Sequence, residues 1–176
     1  MRRPTLALLC VAVLVMACAK HLERGEVPLS LPDERQFVER GVSEMMSNRC
    51  GTLDCHGNPS RALRIYGQKG LRLKIPPADS GLPRDTNATT PEERHANYNS
   101  VVGLEPEDIS KAVEMRGEYI DFQLFLKPLD IGGGGVRHKG GPVLRNSPYD
   151  PGWMCMFTWV QGNADAKQCA DALIKF

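Results

Sequence analysis

The sequence predicts one mostly α-helical domain with a small β or irregular insertion, and three observations carry that prediction. Helix-start signals stand at Asp33, ahead of an apolar-periodic run, and at Thr90-Pro91-Glu92-Glu93, a capping box with proline at the first helical position. The end of the chain reads as a helical hairpin, with Tyr149 to Val160 apolar nearly all round, a turn at Gln161-Gly162-Asn163, and an amphipathic stretch from Ala164 to Phe176. Clear period-two alternation is confined to Leu71-Arg72-Leu73-Lys74-Ile75.

In chain order, residues 1–17 begin with Arg2 and Arg3 and continue into an apolar run from Leu6 to Ala17. That pattern is a secretory signal; a bilayer crossing needs about 20 apolar residues. The run ends Val15-Met16-Ala17-Cys18, which resembles the lipobox of bacterial lipoproteins, where the cysteine takes the lipid; an ordinary signal peptide cut near Ala17 or Ala19 is the alternative. Residues 18–32, with Pro28 and Pro32, read as a lipid-anchored tether, and residues 33–176 as the domain. The expected location is the cell envelope, anchored to a membrane and facing the periplasm or exterior.

Within the domain a helix is expected from Asp33 to about Ser47, with Phe37, Val38, Val42, Met45 and Met46 on one face and Gly41 letting another helix approach. Residues 62–75 hold two short apolar bursts split by Gly67 and Gly70, which suit a small hairpin or irregular wall segments. Pro76 to Asn87 is a polar loop. Helices follow from Thr90 to about Val102 and from Pro106 to about Met115, with Met115 expected in the core and His95 as a surface or packing residue. Tyr119 to Leu126 is a buried strand or helix segment, and residues 130–141 hold six glycines around Val136-Arg137-His138-Lys139. The terminal helix should bury Ala166, Cys169, Ala172, Leu173 and Phe176.

Removing residues 1–17 takes two arginines from the 22 basic residues, leaving 20 against 21 acidic ones. A nearly neutral domain argues against nucleic acid, which calls for a basic patch. Of the 6 cysteines, Cys10 leaves with the signal and Cys18 is the lipidation candidate. Cys155 and Cys169 flank the turn at Gly162 at similar distances, which predicts a disulfide stapling the hairpin.

Cys50 and Cys55 belong to the segment Cys50-Gly51-Thr52-Leu53-Asp54-Cys55-His56-Gly57, two thiols followed at once by an imidazole. That is the chemistry of covalent haem capture: two thiols add across the porphyrin vinyl groups, and the histidine after the second thioether is held under the iron. The usual signature is CxxCH, and this one is CxxxxCH. The two extra residues must bulge outward, which Gly51 and Asp54 suit. A Cys50–Cys55 disulfide, or zinc on Cys50, Cys55 and His56, would use the same residues. His138, set among glycines with no apolar periodicity to explain it, leads Met115, Met154 and Met156 as candidate for the second axial position.

The early helix with Phe37 and Gly41, the CxxxxCHG segment and the terminal aromatic helix resemble the small bacterial c-type cytochromes. The resemblance covers residues 33–176 and implies a cytochrome c-like helical domain in which the first and last helices cross beside covalent haem c. It departs from class I members in the widened cysteine spacing and in lacking an isolated methionine loop. It implies one-electron transfer with exported redox partners, an electron carrier more than an enzyme; neither a nucleophile-elbow motif nor the GK[ST] of a phosphate loop is present. A haem-free, disulfide-stabilised lipoprotein acting as a structural or binding module is the rival reading.

Overall fold

The computed structural model describes residues 28–73, 88–144 and 149–174, and these are mostly helical. The signal segment, Cys18 and most of the tether lie outside the described residues, as do Pro76 to Asn87, Lys74, Ile75 and Phe176.

The first expected helix is two. α1 (Glu34–Glu39) starts where Asp33 Oδ1 accepts the Gln36 amide at 2.7 Å, and α2 (Val42–Arg49) restarts after Gly41, whose φ is +86°. Glycine alone adopts that angle without strain, so the chain turns here at no steric cost. The expected close approach at Gly41 is nevertheless present, since a Cβ there would lie 3.4 Å from Cys169 Cβ.

α3 (Pro91–Val102) opens on the full capping box: Thr90 Oγ1 accepts the Glu93 amide and Glu93 Oε2 accepts the Thr90 amide, at 3.2 and 3.0 Å. α4 (Pro106–Glu114) ends at Met115, which is 40% exposed and not the core residue expected. The ambiguous stretch before Lys127 resolves into irregular residues and the single turn α5 (Gln123–Leu126). α5 lacks a side-chain cap at Phe122; the Glu105 carboxylate, from the start of α4, instead accepts the amides of Gln123 and Leu124, both at 3.2 Å. The hairpin forms as α6 (Pro151–Val160) and α7 (Ala166–Ile174), joined by the predicted Cys155–Cys169 disulfide. Cys169 and Ala172 are buried as expected, while Ala166 is exposed.

No hairpin forms between residues 62 and 73; the two bursts meet only at a parallel bridge, Tyr66 to Leu71, and there is no strand among the described residues. The physical reason is a side chain standing in for a strand. Asn97, wholly buried on α3, accepts the Tyr66 amide at 2.6 Å and donates to the Tyr66 carbonyl at 2.9 Å, satisfying the peptide groups a ladder would have used.

α2 packs against both helices of the terminal hairpin, so the beginning and end of the domain share one core. Phe37, Tyr98 and Trp159 form its aromatic centre, with ring centroids 4.9 to 6.3 Å apart. Trp159 Nε1 donates to the Asp33 carbonyl at 2.9 Å and the Tyr98 hydroxyl to the Pro32 carbonyl at 2.8 Å, pinning the start of the domain to that centre. A second aromatic row, Phe122, Phe125, Trp153 and Phe157, closes the other side.

Candidate functional site

The cysteine segment begins where α2 stops. Cys50 is the residue at the helix C-terminus, its amide still bonded to the Met46 carbonyl at 2.8 Å. The chain then loops outward and returns: the His56 amide donates to the Cys50 carbonyl at 2.9 Å, and the Cys55 and Gly57 amides both donate to the Thr52 carbonyl. Leu53 and Asp54 are thrown into solvent, Leu53 being 61% exposed, which is the bulge the wide spacing requires. Glycines make so tight a return possible. A Cβ on Gly57 would sit 2.2 Å from the Gly51 carbonyl oxygen, and one on Gly70 would sit 2.0 Å from the same atom.

Both thiols and His56 line one cavity of about 510 Å³, within the range of about 300–1,000 Å³ usual for small-molecule sites. His138, on the glycine-rich loop, lines it too. The two imidazoles have ring centroids 5.9 Å apart and planes inclined by 14°. Each is fixed through Nδ1: His56 to the Leu63 carbonyl at 3.0 Å, His138 to the Gly141 carbonyl at 3.2 Å. A carbonyl only accepts, so in each neutral ring Nδ1 carries the proton and Nε2 keeps its lone pair, the arrangement found in metal-ligating histidines.

Burial pushes His56 below the usual imidazole value against the opposing pull of the Leu63 carbonyl, and nearby His138, Arg61 and Lys127 push the same way. The shift favours the neutral form of His56. Burial also pushes the Cys50 thiol up to about 12, with Arg49 offsetting part of that and Cys55 adding to it. Cys50 lies sealed at the base of the loop while Cys55 is half-exposed.

Sequence reasoning passed over Arg49, whose side chain is buried beside Cys50 and lines the cavity. Its guanidinium donates to the Ala172 carbonyl at 2.9 Å and to the Val143 carbonyl, tying the end of α2 to α7 and to the far end of the His138 loop. The apolar wall includes Met46, Leu63, Leu124 and Met156. Of the methionine alternatives to His138, Met156 lines the cavity, while Met154 and the exposed Met115 do not. His95 is at the surface as expected, bonded to Glu34 and Asn99.

Two rival uses of the segment lack their geometry. Cys50 and Cys55 are free thiols, not a disulfide. Among the described residues no three histidine, cysteine or acidic side chains converge to hold a bare metal ion, which leaves zinc on Cys50, Cys55 and His56 without a site. The donor set that lines the cavity, two thiols and two near-parallel imidazoles beside an apolar wall, has the residue types that could hold a haem. No helix among the described residues is long and apolar enough to cross a membrane. No protein family, curated protein or solved structure matches the chain.

Proposed function

We propose that the chain is an exported c-type haem protein, cytochrome c-like in architecture, lipid-anchored through Cys18 and working in one-electron transfer with redox partners of the cell envelope. The observation that carries this reading is the pair of Nδ1-tethered imidazoles, His56 and His138, 5.9 Å apart in the cavity that both Cys50 and Cys55 line. Cys50 and Cys55 would hold the group as thioethers, and His56 and His138 would supply the axial nitrogens. When bound, haem supplies reversible one-electron redox chemistry of its iron.

The chain's own contribution is to orient and to tune. The Leu63 and Gly141 carbonyls set ring orientation, as such outer partners do in metal sites. Met46, Leu63, Leu124 and Met156 give the cavity an apolar wall. Two imidazole ligands would place the potential of a bound haem below that of a Met/His pair. Arg49 holds the helix end and the loop that carry the opposing ligands in one frame.

The test is expression of the full chain in a bacterium that matures c-type haem. A Soret band that survives acid–acetone extraction is expected, lost when Cys50 and Cys55 are both changed to alanine. His138→Ala should convert a low-spin spectrum to a high-spin one. A purified chain without a Soret band and with Cys50 and Cys55 oxidised to a disulfide would replace this reading with the haem-free binding module. Cys18→Ala should release the protein from membranes or leave its precursor uncut.

A further inference from the structure

The rim of the cavity is basic in a chain whose charges nearly balance at 22 basic and 21 acidic residues. Arg61, Lys127, Arg137 and Lys139 are exposed and line it, against two acidic lining residues among the described ones, Asp54 and Glu105. Glu105 is already engaged, its carboxylate accepting the two amides at the start of α5. The cations come from opposite walls. Arg61 lies against the cysteine loop, its guanidinium donating to the Asp54 carbonyl at 3.3 Å, whereas Arg137 and Lys139 bracket His138 on the facing loop, and Lys127 closes α5 between them in sequence. That loop is held in place, since the Val136 amide donates to the Leu126 carbonyl and the Leu144 amide to the Pro128 carbonyl.

A cavity with an apolar interior and a cationic mouth suits a ligand with an apolar body and anionic groups along one edge. We propose that Arg61, Lys127, Arg137 and Lys139 form a carboxylate-recognising rim, so that the cavity selects a flat macrocycle bearing two ionised carboxylates over the same macrocycle with them blocked. This rests on the haem reading of the cavity and adds to it the residues that read the ligand's charge. Exposed ion pairs are screened by solvent and salt, so each contributes only a few-fold in affinity and the effect shows when several are removed together.

The experiment is an absorption titration of the full chain, prepared without haem, using haemin and haemin dimethyl ester at low and at raised salt. Haemin should bind about tenfold tighter than the ester at low salt, the margin shrinking as salt rises. Arg137→Gln combined with Lys139→Gln should weaken haemin about threefold, narrowing its margin over the ester, and leave the ester unchanged. Equal binding of acid and ester by the unaltered chain, or an equal loss of both in the double variant, overturns the rim assignment and leaves the haem site standing. If neither ligand binds and the chain matured in a haem-attaching bacterium carries no haem, the site reading fails and the rim assignment fails with it.

Discussion

Arg72→Met should cost this domain far more than a surface arginine normally does, because its partner is a sealed carboxylate. Glu93 is 1% exposed; its Oε1 accepts Arg72 Nε at 2.8 Å and the Leu73 amide at 3.0 Å, and its Oε2 accepts the Thr90 amide at 3.0 Å. Methionine keeps much of the arginine stem and removes the cation. Breaking a buried pair costs about 3–5 kcal/mol; here the two amides remain and the Arg72 side chain is 20% exposed, so the expected loss is about 2–3 kcal/mol. For a domain of this size that is roughly 5–10 °C in Tm. Burial alone would raise the Glu93 carboxyl, but Arg72 and the Thr90 and Leu73 amides outweigh it and hold it below the usual carboxylate range. A depressed folded value gives stability that is present above the unfolded value and lost as pH falls through the folded one, so the gap between variant and parent should be full at pH 7 and narrow below about pH 4. Urea unfolding of Arg72→Met, Glu93→Gln and the double variant, at both pH values, measures this. A loss under about 1 kcal/mol, strict additivity of the two substitutions, or a gap indifferent to pH would refute the reasoning.

Changing Cys155 and Cys169 together to alanine opens a loop closed over a sequence separation of 14, and should lower stability by about 3 kcal/mol in calorimetry under non-reducing conditions. Gly57→Ala puts a Cβ 2.2 Å from the Gly51 carbonyl oxygen, so it should cut both haem loading and thermal stability sharply, while Gly132→Ala, whose nearest neighbour would be 3.4 Å away, should change neither. In haem-free protein the depressed His56 makes the unfolded chain the better proton acceptor, so stability should decline as pH drops below about 6.5. His56→Gln should flatten that decline in urea midpoints taken between pH 7.5 and 5.5.

Helices were legible where local chemistry decides them. The capping box at Thr90, the proline start of α4, and the almost entirely apolar α6 all announce themselves within a few residues. The disulfide was legible because the turn between its cysteines was. The break at Gly41 was not, since a glycine on an apolar helical face reads as a packing contact whether or not the chain turns there, and here it does both. Of the two readings open for residues 62–75, hairpin or irregular wall, residues 62–73 take the irregular one because Asn97, more than 20 residues downstream, takes the hydrogen bonds of Tyr66, and a buried amide carries no local mark. At the site, Cys50, Cys55, His56 and His138 stood out by residue type. Their supports did not: the carbonyls of Leu63 and Gly141 belong to the backbone, and Arg49 looks in sequence like any helix-terminal arginine.

The wide cysteine spacing is where sequence and geometry bear most directly on each other. Counted along the chain, two extra residues separate the thiols. In space the separation is cancelled, because the His56 amide closes on the Cys50 carbonyl at 2.9 Å and the surplus is carried outside by Leu53 and Asp54. What those two residues contribute to the rest of the protein is slight: the Leu53 amide meets the Lys69 carbonyl at 3.3 Å, and the Asp54 carbonyl takes the Arg61 contact at 3.3 Å, both long bonds near the surface. If the bulge is only slack, deleting Leu53 and Asp54 together should leave Cys50-Gly51-Thr52-Cys55-His56, the ordinary three-bond spacing of the CxxCH signature, with both thiols and His56 still facing the cavity. Haem content per chain should then be kept or raised, and the low-spin spectrum should be unchanged. Loss of covalent haem in this deletion, with circular dichroism still showing a folded helical domain, would mean that the five-bond arch itself positions the thiols and that the resemblance to an ordinary attachment segment misleads.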